Sequence, residues 1–198
     1  MIRKAEERDA EDLARIYNHA MRPGIYATAD VKPVTRENRI DWLRRRQEPY
    51  GAWVSETTAG DVVGWCSLSP FAVRPSYPKI AEISAYVDEA HRSRHVGREL
   101  LIHLVGAARQ TGFRTLVSLV YEKNVVSIAG CLLYGFRPVA TLHHAAILGD
   151  VRENVLWIAK NLLIDDPPIY GRLKQPSHSD VARPVVVDVT GSRSSNLI

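Results

Sequence analysis

Apolar residues recur along this chain at two spacings, one helical and one strand-like, and their order sets the fold class. Leu13, Ile16, Tyr17 and Ala20 follow helical spacing behind Asp9, a residue type that caps helix N-termini, and Pro23-Gly24 ends the segment. Thr35 opens a second helix to about Gln47, with Ile40 and Leu43 inward, the Arg44-Arg45-Arg46 cluster outward and Pro49 closing it. A third helix starts near Gly97, takes its apolar face from Leu100, Leu101, Leu104 and Ala108, and stops at Gly112. Residues 2–5, 51–56, 62–69, 80–87 and 114–120 read as strands, and Thr57-Thr58-Ala59-Gly60-Asp61 reads as a hairpin loop. Pro70, Pro75 and Pro78 make 70–79 an ordered loop rather than a strand. A short helix over Asn124 to Leu133, a turn at Tyr134-Gly135-Phe136 and strands near 137–147 and 152–160 complete the pattern. Strands alternate with helices in the middle and hairpins flank them, which predicts an α/β fold without internal repeats.

Composition narrows this little. Hydrophobic residues make 45% and charged residues 24% of 198, an ordinary globular balance with enough chain to bury a core. The character changes after about Leu163, where Asp165-Asp166-Pro167-Pro168, Pro176, Pro184 and a Ser/Arg/Asn end predict a loosely docked or disordered tail over 164–198, behind a domain over 1–163. One run in that tail, Val185 to Val189, would suit a late edge strand. No apolar run approaches the ~20 residues needed to cross a bilayer, and the first residues lack the apolar core of a secretory signal, so a cytoplasmic protein without membrane contact is expected. Cys66 and Cys131 cannot build a disulfide framework, and no Cys/His spacing fits zinc, so no metal is expected.

Net charge is +4, which is mild, and most arginines have acids nearby. Without a basic stripe interleaved with aromatics, no nucleic-acid partner is expected. One cluster differs. His91-Arg92-Ser93-Arg94-His95-Val96-Gly97-Arg98 is free of acids and lies between a strand and a helix. Such a junction leaves a row of unpaired backbone N–H groups at a positive helix end, which suits a pyrophosphate, and Arg92, Arg94 and Arg98 add full charges. A solvated basic loop before an amphipathic helix would read the same way.

The flanking motifs separate these readings. Ile16-Tyr17-Asn18-His19-Ala20, Val63-Gly64-Trp65-Cys66-Ser67, Arg74-Pro75-Ser76-Tyr77, Glu82-Ile83-Ser84-Ala85-Tyr86-Val87, Asn124-Val125-Val126-Ser127-Ile128 and Gly135-Phe136 occur in one order over about 160 residues. In that order, residues 2–160 resemble the GCN5-related N-acetyltransferases, and more closely their phosphinothricin and methionine sulfoximine acetyltransferase branch. The resemblance implies a central mixed, mostly antiparallel sheet flanked by helices. It also implies acetyl transfer from acetyl-CoA to the amine of a small molecule (an amino acid, an amino-acid analogue or an antibiotic), and a homodimer.

Site residues follow from the same resemblance. Glu82 would take the proton that an ammonium must lose before it attacks a thioester. An ordinary strand charge facing solvent is the alternative, though a Glu inside Ile80-Ala81-Glu82-Ile83 is awkward in a buried strand. Backbone groups near Ala85, Tyr86 and Val87 would hold the pantetheine arm like an added strand. Arg92, Ser93, Arg94, His95, Val96, Gly97 and Arg98 would hold the pyrophosphate, and Asn124 would contact the cofactor. Arg74 would pair with an acidic group of the acceptor, with Tyr26 and Tyr77 lining its pocket.

Four departures qualify this. His95 stands where the family's phosphate loop has its middle glycine. Cys131 stands where a Tyr or His often protonates the leaving thiol, and as a small apolar residue it is expected to pack a helix on the sheet. Ala72 replaces the first Arg of the substrate loop, and Leu148 to Glu153 lacks the branch's aromatic pair. His143-His144 reads as solvent or core histidines on a strand. His95 and Cys131 also motivate a second reading, a non-catalytic acyl-CoA-binding relative that senses or scaffolds.

Overall fold

The third strand, β3 (Val62–Pro70), is buried at seven successive positions, and a strand can be so only when helices cover both faces of its sheet. The structure, a computed structural model, describes residues 1–163 apart from 23, 24, 26, 29, 31, 72–75 and 149. Within these, β1 (Ile2–Lys4), β2 (Ala52–Glu56), β3, β4 (Ile80–Val87), β5 (Thr115–Tyr121), β6 (Arg137–Leu148) and β7 (Val151–Asn161) form one sheet in the order β1-β2-β3-β4-β5-β7-β6. Every pairing is antiparallel except β4 with β5. The architecture is the mixed, mostly antiparallel sheet flanked by helices that the sequence predicts. The tail from 164 lies outside the described residues.

Two cores follow from the alternation of side chains across the sheet. Cys66 and Leu68 of β3 and Ala81 and Ile83 of β4 face α3 (Val96–Gln110), where Leu100, Leu101, Leu104 and Ala108 meet them. Cys131 of α4 (Val125–Leu133) is buried in the same cluster, so it packs the helix on the sheet as its small apolar side chain suggests. Val54 of β2 and Trp65 of β3 face the other way, onto Leu13, Ile16 and Tyr17 of α1 (Ala10–Ala20). Trp42 and Leu43 of α2 (Arg36–Arg44) close over that cluster.

Two expectations change. Asp9 does not cap α1 with its side chain. Its carboxylate instead takes both terminal nitrogens of Arg3 at 2.8 Å and the Glu6 N–H at 2.8 Å, while Arg3 Nε reaches Glu56 at 2.8 Å. One guanidinium thus joins β1, β2 and the entry to α1. The arginines of the second helix also do not all face solvent. Arg39 is only 7% exposed, with its guanidinium 4.1 Å from the Tyr17 ring centre, 5.1 Å from Trp65 and 5.3 Å from Trp42. Arg46 stacks on Trp42 at 4.2 Å and donates to the carbonyl oxygens of Gly51 and Leu68 where β2 and β3 begin and end their pairing. Aromatic faces stabilise these cations, neither of which forms a salt bridge among the described residues, by about 0.5–2 kcal/mol for each contact.

The seat of α3 depends on Gly64. A methyl group there would meet the Tyr86 carbonyl oxygen and Val96 Cγ1 at 3.0 Å and Leu100 Cδ1 at 3.1 Å. Gly64→Ala should therefore lower stability by about 1–3 kcal/mol through overpacking against backbone, read as a fall of several degrees in melting temperature. Gly106→Ala, in α3 with open space around it, should raise stability by up to about 1 kcal/mol through helix propensity. Equal effects at the two positions would mean that close approach at Gly64 does not set the seat of α3.

Candidate functional site

Pairing between β4 and β5 stops early. Ile80, Ala81 and Glu82 pair with Thr115, Leu116 and Val117, but β4 continues to Val87 and β5 to Tyr121, each held only on its outer side. A wedge opens between them with its vertex at Glu82 and Val117. Register decides which backbone groups line it. The Asp88 N–H donates to Val63 O at 2.9 Å, directly across from it, so Tyr86, Ser84 and Glu82 exchange their hydrogen bonds with β3 by strict alternation. Ala85 and Val87 turn their N–H and C=O groups into the wedge. Tyr86, predicted as a third contact, is turned away. Its ring packs against Tyr17 at 4.9 Å and Trp65 at 4.6 Å between centroids.

Beyond Val87 the chain forms a cradle of backbone N–H groups. Asp88 Oδ1 accepts the Ala90 N–H at 2.9 Å and faces His91 Nδ1 at 3.5 Å, while Arg15 of α1 pairs with Oδ2. Burial pushes the Asp88 carboxyl up, but the Arg15 guanidinium and the Ala90 N–H outweigh it and hold the group below its usual range. A 3-10 turn, Glu89–His91, precedes the loop proper. Ser93 has φ 61° and His95 φ 66°. Left-handed residues at alternate positions turn successive N–H groups to one concave side. The first α3 amide bonded back is Glu99, to His95 O at 3.0 Å, so the N–H groups of Val96, Gly97 and Arg98 have no acceptor within the helix. Arg92, Arg94 and Arg98 are exposed and in no salt bridge among the described residues. His95 thus holds the left-handed conformation a glycine would give, and the cradle forms at a cost of about 1–2 kcal/mol in local strain.

Glu82 occupies the vertex. It is half-buried, and burial alone raises its pKa, with no charged group contributing. Its side chain shares a face with Ser69 of β3 opposite and with Ser84 and Tyr86, the face that α1 and α2 cover. A desolvated carboxylate without a counter-charge is a better base than an exposed one.

The other predicted residues divide. Asn124 caps α4, its Oδ1 accepting the Ser127 N–H at 3.2 Å, so its carboxamide oxygen is used within the chain. Tyr77 lies on the approach to β4 and is 45% exposed. Arg74 and Tyr26 lie outside the described residues. The Cys131 thiol is buried and pushed up to about 12 by that burial. His143 and His144 are exposed where β6 shifts register. Sequence reasoning did not find the Arg15–Asp88 clamp, nor the contact of Phe71 with Trp157, ring centroids 5.6 Å apart. Both join residues remote in sequence.

Known proteins with similar sequences fit this geometry. Residues 11–136 match the acetyltransferase (GNAT) family. YwnH of Bacillus subtilis is 37% identical over 135 residues, 68% of this chain and 82% of its own. The L-methionine sulfoximine/L-methionine sulfone acetyltransferase of Salmonella typhimurium is 31% identical over 150 residues, 74% of this chain and 85% of its own. Among solved structures, yncA from Salmonella typhimurium with its cofactor acetyl-CoA superposes with a TM-score of 0.78 at 28% identity, covering 85% of this chain and 96% of that one.

The left-handed His95 gives a direct prediction. His95→Gly should raise the melting temperature, because about 1 kcal/mol of backbone strain is relieved, and should bind coenzyme A as tightly or more tightly by calorimetry. Weaker binding would instead show the imidazole touching a phosphate.

Proposed function

Because the chain belongs to the acetyltransferase (GNAT) family, we propose that it transfers the acetyl group of acetyl-CoA to the primary amine of a small amino acid or amino-acid analogue, with Glu82 as the proton acceptor. The observation that carries this reading is the end of β4–β5 pairing at Glu82. An extended arm anchored in the phosphate cradle beyond Val87 and bonded to Ala85 and Val87 would run down the wedge and finish at that vertex. The residues fit such a cosubstrate: a cradle of N–H groups, three exposed arginines in no salt bridge among the described residues, and an open strand edge. When bound it supplies the acetyl group as a thioester.

The chain's own part is to align and deprotonate. An acceptor arrives as an ammonium, which has no lone pair. Glu82, directly or through a water, takes its proton, and its raised pKa brings its basicity nearer to neutral pH than that of a free carboxylate. The wedge holds the thioester carbonyl beside the amine, so attack is effectively intramolecular. Cys131 gives no help to the leaving group, since its thiol is buried. A thiolate of pKa about 8.5 needs little.

The acceptor class draws on named relatives. The Salmonella enzyme is named for methionine sulfoximine and methionine sulfone, and a Streptomyces coelicolor enzyme, 28% identical over 164 residues, for phosphinothricin. All are amino-acid analogues. The same reading includes a cytoplasmic homodimer, as the resemblance implies. Val139, Leu142 and Ile147 on the outermost strand, β6, are 59%, 38% and 64% exposed and would suit contact between copies.

Glu82→Gln tests the chemistry, because it keeps the size and hydrogen-bonding shape and removes the base. With an amino-acid analogue as acceptor, kcat should fall on the order of 10²-fold at neutral pH, and the deficit should shrink as rising pH supplies free amine. KM for acetyl-CoA should hardly change. In the unmodified enzyme kcat should climb with pH through the Glu82 pKa, at a pH above the ~4.3 of a free glutamate. An intact kcat with weakened acetyl-CoA binding would make Glu82 a structural strand residue.

A further inference from the structure

Phe71 follows the end of β3, and Trp157 lies in the middle of β7, yet their rings meet edge to face at 5.6 Å. Between those strands stand β4 and β5. Trp157 pairs with Leu119, two residues past Val117, and Pro70, next to Phe71, pairs with Ala81. Side chains alternate, so Trp157, Leu119 and Val117 share the face that carries Glu82. The two rings therefore close over the stretch of sheet where Glu82 and Val117 sit. This accounts for a feature the mechanism uses: Glu82 is desolvated although no charged side chain pairs with it.

The pair also holds an unused donor. Trp157 Nε1 is buried and has no hydrogen-bond partner among the described residues. An indole N–H out of water without an acceptor costs free energy, and such orphans in native proteins call for an explanation. Neighbours on this face supply none: Leu119 lies opposite Trp157 on β5, and Ala140 on β6.

We infer that Phe71 and Trp157 form the acceptor's side-chain subsite, which takes a primary amine whose apolar side chain ends in an oxygen that accepts from Trp157 Nε1. This rests on the reading of Glu82 as the base that receives the amine. In a flat sheet, the Cα atoms of Glu82 and Trp157, two strands and two residues apart, would be separated by about 12 Å. The Glu and Trp side chains span more than half of that. What remains matches an unbranched chain of four or five atoms between amine and oxygen. Phe71 covers this chain and keeps water from the carboxylate. The subsite itself uses no charge: the titratable groups on the face are Tyr86 on β4 and Tyr121 on β5, both nearer the open end of the wedge, with the Lys123–Glu153 pair beyond them, Tyr17 and Arg39 packed over Tyr86 from α1 and α2, and Asp30 bonded to Tyr17.

Calorimetric titration of the coenzyme A complex with L-methionine sulfone and with L-norleucine tests this without requiring turnover. The unmodified protein should bind the sulfone on the order of 10-fold more tightly, because only the sulfone satisfies the buried donor. Trp157→Phe keeps a ring and removes the N–H, so the two constants should become equal. Phe71→Ala should weaken both ligands, and the Glu82 carboxyl, followed by 13C NMR, should titrate at lower pH once water reaches it. Thermal stabilisation by coenzyme A checks that each variant is folded. Equal binding of the two ligands by the unmodified protein, binding of neither, or a sulfone preference that survives Trp157→Phe would overturn the subsite. If the preference is lost in Trp157→Phe while Glu82→Gln keeps full kcat, the subsite stands and the assignment of the base fails.

Discussion

Everything proposed for this chain depends on one pairing that ends too soon. Among the described strands β4 and β5 are the only parallel neighbours, and they stay together for three residue pairs before separating. The free edges beyond Glu82 and Val117 present unsatisfied N–H and C=O groups, which an added extended chain can satisfy. Both strands stay ordered because each remains fully paired on its outer side, β4 to β3 and β5 to β7. The opening thus stores binding capacity in backbone groups and leaves the side chains of the vertex for chemistry.

The rest of the molecule holds that opening in place. At the upper end, α3 sits so close to β3 that Gly64 has no room for a methyl group, and the first turn of the helix lies against Val87, where β4 ends. Arg15 of α1 fixes the loop from the other face through Asp88. On the face that α1 and α2 cover, α2 is fastened by two inward arginines, Arg39 among Tyr17, Trp42 and Trp65, and Arg46 on the Gly51 and Leu68 carbonyls. These cations do by π-face contact and backbone hydrogen bonds what carboxylates do elsewhere.

Much of this was legible before any coordinates. Leu13, Ile16, Tyr17 and Ala20 announced α1 because helical spacing is local, and the run from His91 to Arg98 marked a loop between a strand and a helix because that order is local too. Tyr86 was misjudged for a physical reason. Strand neighbours alternate by one residue, so the same motif puts Ala85 and Val87 into the wedge and Tyr86 into the opposite core, and only the pairing register fixes that parity. The inward arginines were misread because an arginine's burial depends on aromatic partners supplied from elsewhere in the chain, such as Trp65 for Arg39. Phe71 and Trp157 showed no local pattern at all, since their contact exists only once four strands are aligned. Asp9 looked like a helix cap, yet Arg3 claims its carboxylate.

Amide hydrogen exchange at β4 tests the central claim most directly. In the free protein the Ser84 and Tyr86 amides, bonded to β3, should be protected, and those of Ala85 and Val87 should exchange much faster. Adding coenzyme A should slow Ala85 and Val87 by 10-fold or more, an order of magnitude typical of a newly formed and buried hydrogen bond, and leave Ser84 and Tyr86 nearly unchanged. Protection of all four amides before coenzyme A is added, or no change at Ala85 and Val87 afterwards, would contradict the wedge as the binding edge.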